Sequence, residues 1–173
     1  MIMVMAAQTQ TSPLSVDEYL KTQFEGSGPE YLDGELVERN VPNYAHGRTQ
    51  CCLGALLKSF GQERPLYAAT ELHLRVATGR YRIADVAVFE GEEPAEGIPS
   101  QPPLVVIEIL SPNDSAQDVL AKFEELHAWG VKHLWLANPG PRRLYVYDGG
   151  LREVPAFTIP EYKIEIAAAT VFA

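Results

Sequence analysis

The stretch Leu104-Val105-Val106-Ile107-Glu108-Ile109-Leu110 decides the fold, together with Arg82-Ile83-Ala84-Asp85-Val86-Ala87-Val88-Phe89 before it. Both are short β-branched apolar runs bounded by Pro, Gly and charged residues, the pattern of strands covered on both faces. Each carries one carboxylate in its middle. A lone ionised carboxylate in such a place costs several kcal/mol, so each acid must be paired, protonated or bound to a cation.

Side chains alternate along a strand, which puts Ile83, Asp85, Ala87 and Phe89 on one face and Leu104, Val106, Glu108 and Leu110 on one face of the later run. If the two strands are neighbours, Asp85 and Glu108 converge. Close carboxylates do not both ionise without compensation, and a divalent cation supplies it, the backbone carbonyl of Ile109 and waters completing the oxygen shell. Mg²⁺ or Mn²⁺ is the expected ion. An ion so held polarises a phosphoryl oxygen and lowers the pKa of a bound water, both of which phosphodiester hydrolysis requires. That chemistry also calls for a fixed positive charge near the phosphate or the water. Lys122, on the helix that follows the Glu108 strand, is placed to reach back along the sheet.

On the C-terminal side, Ser111-Pro112-Asn113-Asp114 has turn and cap chemistry and leads into a helix to about Trp129, with Val119, Leu120, Phe123 and Leu126 inward and Gly130 as its stop. Residues 132 to 137 form the next strand. Residues 143 to 148 alternate as an edge or one-sided strand closed by Asp148-Gly149-Gly150, and residues 151 to 173 are weakly patterned. Between the two acid-bearing strands, residues 91 to 103 have four prolines and no period, and are expected to form a loop bordering the site.

On the N-terminal side, residues 66 to 76 read as a strand with Leu72, Leu74 and Val76 facing away from Glu71, His73 and Arg75, the ordinary alternation of a half-solvated strand. Ala45, Cys52, Leu53, Leu56, Leu57 and Phe60 recur at helical spacing between an Asn43 cap and a Gly61 stop. Residues 31 to 37 form a hairpin about Asp33-Gly34, with Glu30 and Glu35 in its strands. Ser15-Val16-Asp17-Glu18 is a capping box that starts a helix to about Gln23, ended by Gly26, Gly28 and Pro29. A leading helix and hairpin, then strands, a crossover helix and a parallel return strand describe an α/β sandwich around a mixed sheet.

A chain of 173 residues that is 46% hydrophobic suits one domain, here residues 14–173, behind a flexible N-terminal arm of residues 1–13 that lacks a basic flank and a long apolar core. The formal net charge of -9 excludes a protein that coats nucleic acid by bulk electrostatics and confines any such contact to a local groove. Cys51 and Cys52 are neighbours that cannot staple a fold, and read as core or near-core thiols of a reducing, cytoplasmic compartment. No apolar run is long enough to span a bilayer.

Asp85, then Val-Ile-Glu-Ile-Leu-Ser-Pro around Glu108, then a helix with Lys122, then Gly-Val-x-x-Leu-Trp-Leu-x-x-Pro from Gly130 to Pro139, resembles the Uma-type family of restriction-endonuclease-like proteins, a branch of the P-D-(D/E)-x-K nuclease superfamily. The residue 32 to 38 hairpin and Ala45-His46-Gly47 resemble it too, so the likeness covers roughly residues 14 to 160. It implies a restriction-endonuclease-like core, a mixed β-sheet flanked by helices with an N-terminal helix and hairpin, in which Asp85 and Glu108 hold the metal. Two departures stand out: Ala84 occupies the place of the superfamily's proline, and Leu110 that of the motif lysine. A leucine cannot orient water, and the resemblance implies that Lys122 takes over.

Each sharp reading has a plain one beside it. Asp85 and Glu108 are metal ligands, or hydrated acids paired with Arg82 or Arg75; Lys122 is catalytic, or snorkels from the core. His46 is an accessory group at the site, or makes a local bond at its helix start. Glu35 and Glu30 are accessory acids, or exposed. Trp135, Tyr145 and Tyr147 stack on bases, or lie in the core or a dimer surface. The residues together describe a Mg²⁺-dependent endonuclease acting on nucleic acid, with DNA the expected substrate and a homodimer the expected assembly. The alternatives are a non-catalytic dimeric interaction module on the same fold and a metal-dependent hydrolase of a small phosphorylated compound.

Overall fold

The two apolar runs are adjacent strands in the computed structural model, which describes residues 14–24 and 28–173. The expected arm, residues 1–13, and the expected helix breaker Gly26 lie outside the described residues. Helix α1 (Val16–Lys21) opens on the capping box: the Ser15 hydroxyl accepts the Glu18 amide while the Glu18 carboxylate accepts the Ser15 amide. Strands β1 (Glu30–Leu32) and β2 (Glu35–Val37) pair across Asp33-Gly34, both at positive φ as a tight hairpin turn requires. Helix α2 (Tyr44–Phe60) starts at Asn43, whose side chain accepts the His46 amide at 3.0 Å.

The centre of the chain supplies β3 (Leu66–Ala77), β4 (Arg80–Glu90), β5 (Val105–Ile109), helix α3 (Ala116–Trp129) and β6 (His133–Asn138). The Ser115 side chain caps α3, and Gly130 ends it at φ 115, a left-handed turn that suits glycine. The remainder is β7 (Arg143–Tyr147), β8 (Leu151–Val154), β9 (Ala156–Ile159), β10 (Ile164–Ala167) and α4 (Ala168–Val171). Eight strands form one mixed sheet in the order β2-β1-β4-β5-β6-β7-β8, with β3 also on β4, while β9 and β10 pair separately. As expected, α3 is the crossover that returns the chain parallel to β5.

Both faces of the sheet are covered, which is why the central strands are apolar throughout. One core holds Leu53 and Leu57 of α2 with Val86, Val105, Ile107 and the β9–β10 hairpin; the other holds Phe123 and Leu126 of α3 with Leu74, Phe89 and Val106. Tyr19, Tyr31 and Tyr81 form a third cluster beneath α1.

The sheet is split where the acids lie. Tyr81 pairs with both Arg75 and Tyr31, and Val86 pairs with both Thr70 and Ile107. A strand has two edges, so β3 takes one edge of β4 while β1 and β5 share the other. Strand β1 reaches only Tyr81 and β5 begins only at Val86, leaving residues 82–85 of that edge without a strand. Backbone groups freed in a covered sheet need other partners. Side chains provide them: the Ile83 amide donates to Glu30 Oε1 at 3.0 Å and the Ile83 carbonyl accepts from Lys122 Nζ at 2.7 Å.

Several local expectations are corrected. Strand β7 is not an edge, because β8 pairs along it and both of its faces are packed. The weakly patterned tail is built of strands and a helix, and its Phe157, Ile159, Ile164 and Ile166 complete one core. Cys51 is exposed and Cys52 half-buried rather than core thiols, because the buried stripe of α2 runs His46, Thr49, Leu53, Leu57. Helix α1 ends at Lys21, two residues before the expected Gln23, as a frayed helix end does.

Candidate active site

A cleft of about 180 Å³ opens at the split, lined among others by Glu30, Arg39, His46, Asp85, Glu108 and Lys122. Asp85 and Glu108 share one cavity, but simple alternation does not bring them there. Ala84 and Ala87 both pack in the core beneath α3 and Val86 in the other, so β4 changes face at Asp85, which meets His46 of α2 while Glu108 meets Lys122 of α3. The residue 91–103 loop does not border it. That loop joins the end of β4 to the start of β5, whereas Asp85 lies at mid-strand and Glu108 near the far end of β5.

Asp85 is 2% exposed and every oxygen has a partner. Its Oδ1 accepts from Arg39 Nη2 at 2.5 Å, and its Oδ2 accepts the Ile109 amide at 2.6 Å and lies 3.2 Å from His46 Nε2. Burial alone would raise the Asp85 carboxyl, but the His46 bond and the Lys122 and Arg39 charges hold it below the usual carboxylate range. Neither Arg82 nor Arg75 is its partner. Arg82 pairs with Glu30 and Glu125, and the Arg75 amide donates to Pro99.

Glu108 differs from Asp85. Its Oε2 accepts from Lys122 at 2.7 Å, while its Oε1 is buried with no hydrogen-bond partner among the described residues. Burial and the neighbouring Asp85 and Glu30 charges push the carboxyl up to about 7 against the pull of Lys122. Glu30, by contrast, is drawn down to about 2: burial opposes this, but the Lys122 and Arg82 charges and the Ile83 amide outweigh it. One orphan oxygen beside an ionised Asp85 is a donor set that fits a hard divalent cation. Among the described residues no three His, Cys, Asp or Glu side chains form a complete metal-binding cluster. Two carboxylates with a carbonyl and waters suffice for Mg²⁺, which keeps much of its hydration shell.

Lys122 is 8% exposed and its amine meets Ile83 O at 2.7 Å, Glu108 Oε2 at 2.7 Å and Glu30 Oε1 at 2.9 Å. An ammonium has three protons, and each has a protein acceptor. Burial alone would lower its pKa, but Glu108, Glu30 and Asp85 raise it, so it stays charged.

His46 joins the site through Asp85, and its buried Nδ1 has no partner among the described residues. Glu35 does not join. It is exposed on β2, the outermost strand, while Glu30 on the inner strand of the hairpin is buried in the cleft. Ile109 meets the site through its amide, which donates to Asp85 Oδ2. Trp135 is core, stacked on Phe157 at 4.4 Å, and Tyr147 packs on Phe123.

Sequence reasoning missed Arg39 and Gln50 and set Glu71 aside as ordinary strand alternation. Glu71 Oε2 accepts from Arg39 Nη1 at 2.6 Å, and Gln50 Nε2 donates to Glu71 Oε1 and to the Asp85 carbonyl. Gln50 was findable, one helical turn beyond His46 and so on the same face. Arg39 lies between elements, where no period applies. Glu71 departs from the alternation of β3 at φ 49, a left-handed backbone that its sequence does not announce.

A mixed sheet with one parallel crossover at its centre, and paired acids where the sheet splits, is a restriction-endonuclease-like fold. The chain belongs to the family described as "Uma2: Putative restriction endonuclease", whose model matches residues 16–163. Among solved structures it is similar to one described as a "putative nuclease belonging to DUF820" from Anabaena variabilis. The TM-score is 0.78 at 22% identity, covering 92% of this chain and 98% of that one, which shows a common fold. No curated protein matches the chain.

Proposed function

We propose that this protein is a Mg²⁺- or Mn²⁺-dependent endonuclease that hydrolyses phosphodiester bonds of nucleic acid, with DNA as substrate. The observation that carries the reading is the buried, partnerless Oε1 of Glu108 in the same cleft as ionised Asp85. Those two carboxylates would hold the ion. An extended residue aims its amide and carbonyl toward one neighbour, and the Ile109 amide bonds Asp85, which supports the Ile109 carbonyl as the third donor the ion would take. The bound cation would supply Lewis acidity toward the phosphate and a water of lowered pKa. Lys122 keeps Glu108 oriented and fixes the Ile83 carbonyl, and His46 fixes Asp85 through its Oδ2.

Asp85→Asn and Glu108→Gln should each abolish Mg²⁺-stimulated cleavage of a DNA duplex while the far-UV spectrum and melting temperature stay near those of the wild type. Full activity in either variant contradicts the assignment. A symmetric cut of two antiparallel strands is served by a two-fold dimer, which sedimentation equilibrium would detect. No helix among the described residues is long and apolar enough to cross a membrane, and the reading places the protein in the cytoplasm. The spent protons of Lys122 favour a second reading, a non-catalytic module on this fold, for which the same titrations would give no stoichiometric cation.

A further inference from the structure

The reaction proposed above needs a positive charge at the scissile phosphate besides the ion, and Lys122 has no proton left to give. Arg39 is the cation with a route to that role. It follows β2 in a segment without regular structure, and its guanidinium bridges two carboxylates, Asp85 Oδ1 at 2.5 Å and Glu71 Oε2 at 2.6 Å. Its side chain is 20% exposed whereas that of Asp85 is 3% exposed, so the guanidinium lies at the cleft's mouth side of the acid. The other Asp85 oxygen is committed to a backbone amide and a buried histidine. A cation that takes Asp85 through Oδ1 therefore competes with Arg39 for that oxygen.

The Glu71 end of the bridge is built to remain. Asp33, Arg142 and Lys163, the other described non-glycine residues at positive φ, lie in turns or at a cap, whereas Glu71 is inside a twelve-residue strand. A left-handed non-glycine residue there is strained and persists only if its surroundings enforce it. Its carboxylate is held on the other oxygen by Gln50, which also bonds the Asp85 carbonyl. The strain thus serves to carry a carboxylate out of the strand's alternation to meet Arg39.

We propose that Arg39 is an exchangeable cation of this site: it neutralises Asp85 until a divalent ion binds, then swings about Glu71 to meet a phosphate oxygen of the substrate. A guanidinium suits that second role, since it offers several donors in a fixed plane and never loses its charge. Glu71 and Gln50 are positioning residues. The inference rests on the cation-dependent reading above, and the two fail separately.

The test is Mn²⁺ calorimetry on wild type, Arg39→Ala and Glu71→Gln, paired with binding of a fluorescein-labelled DNA duplex in Ca²⁺, and with melting temperatures to confirm folding. Arg39→Ala should bind Mn²⁺ several-fold tighter, because its competitor for Asp85 is gone. It should bind the duplex about tenfold more weakly or worse, the loss of one charge-assisted contact. Glu71→Gln, which keeps the arginine, should weaken duplex binding with a smaller effect on Mn²⁺. Unchanged or weaker Mn²⁺ binding by Arg39→Ala, or unchanged duplex binding, overturns the exchange while leaving the metal site standing. Absence of Mn²⁺ binding in the wild type sinks both.

Discussion

Glu30 is an acid that the fold keeps ionised. Its carboxyl sits near 2 instead of the usual 4.5, so the folded state gives up its proton more readily than the unfolded chain does. A depressed carboxyl stabilises the fold above its unfolded value and loses that contribution as pH falls through the folded one, here from about 4.5 toward 2. The contribution at neutral pH is on the order of 3 kcal/mol. Urea unfolding at a series of pH values should show wild-type stability falling steeply below pH 4.5, and Glu30→Gln should be less stable at pH 7 with a flatter acid limb. Equal stability of the two at pH 7 would contradict the account. At this scale the sequence was informative about acids and poor about their partners. Asp85, Glu108 and Lys122 announce themselves as charges in apolar runs, whereas Arg39 and Glu71 act through an irregular segment and a left-handed backbone that no composition reveals.

Elements defined by caps and periods were legible, and those defined by tertiary packing were not. Ser15, Asn43 and Gly130 are local signals, and each terminates a helix where expected. The hairpin of β9 and β10 has four-residue strands too short to show a period, and it forms because its Phe157 lies flat on Trp135, 4.4 Å between ring centres at 6°. Phe157→Ala should destabilise the protein by about 3 to 5 kcal/mol through the cavity it leaves. Denaturant unfolding would measure that loss, and Trp135 emission should shift to the red as solvent reaches it. A change below 1 kcal/mol, on the order of a surface substitution, would show that the tail is peripheral to the core.

The molecule as a whole is acidic, and its cleft has spent its own cations on its own acids. Arg82 and Lys122 each pair with two carboxylates, and Arg39 with two more. Long nucleic acid therefore meets little free positive charge, and the dependence of duplex affinity on salt should be shallow, with a log–log slope no steeper than about -3, the mark of few phosphate contacts. The fold class and the adjacency of the two acid-bearing strands were readable because both follow from strand order, whereas the period of two expected to bring Asp85 to Glu108 breaks at Asp85, where β4 changes face. The gap along β4, which makes a cleft there and buries Glu30 in it, depends on where two unrelated strands stop and start.

The central claim is that Asp85 and Glu108 share one divalent ion, and calorimetric titration of Mg²⁺ into the wild type, Asp85→Asn and Glu108→Gln tests it most directly. One ion per chain in the wild type, lost in both variants while their melting temperatures hold, is the predicted result. No saturable binding in the wild type, or undiminished binding in either variant, would contradict it.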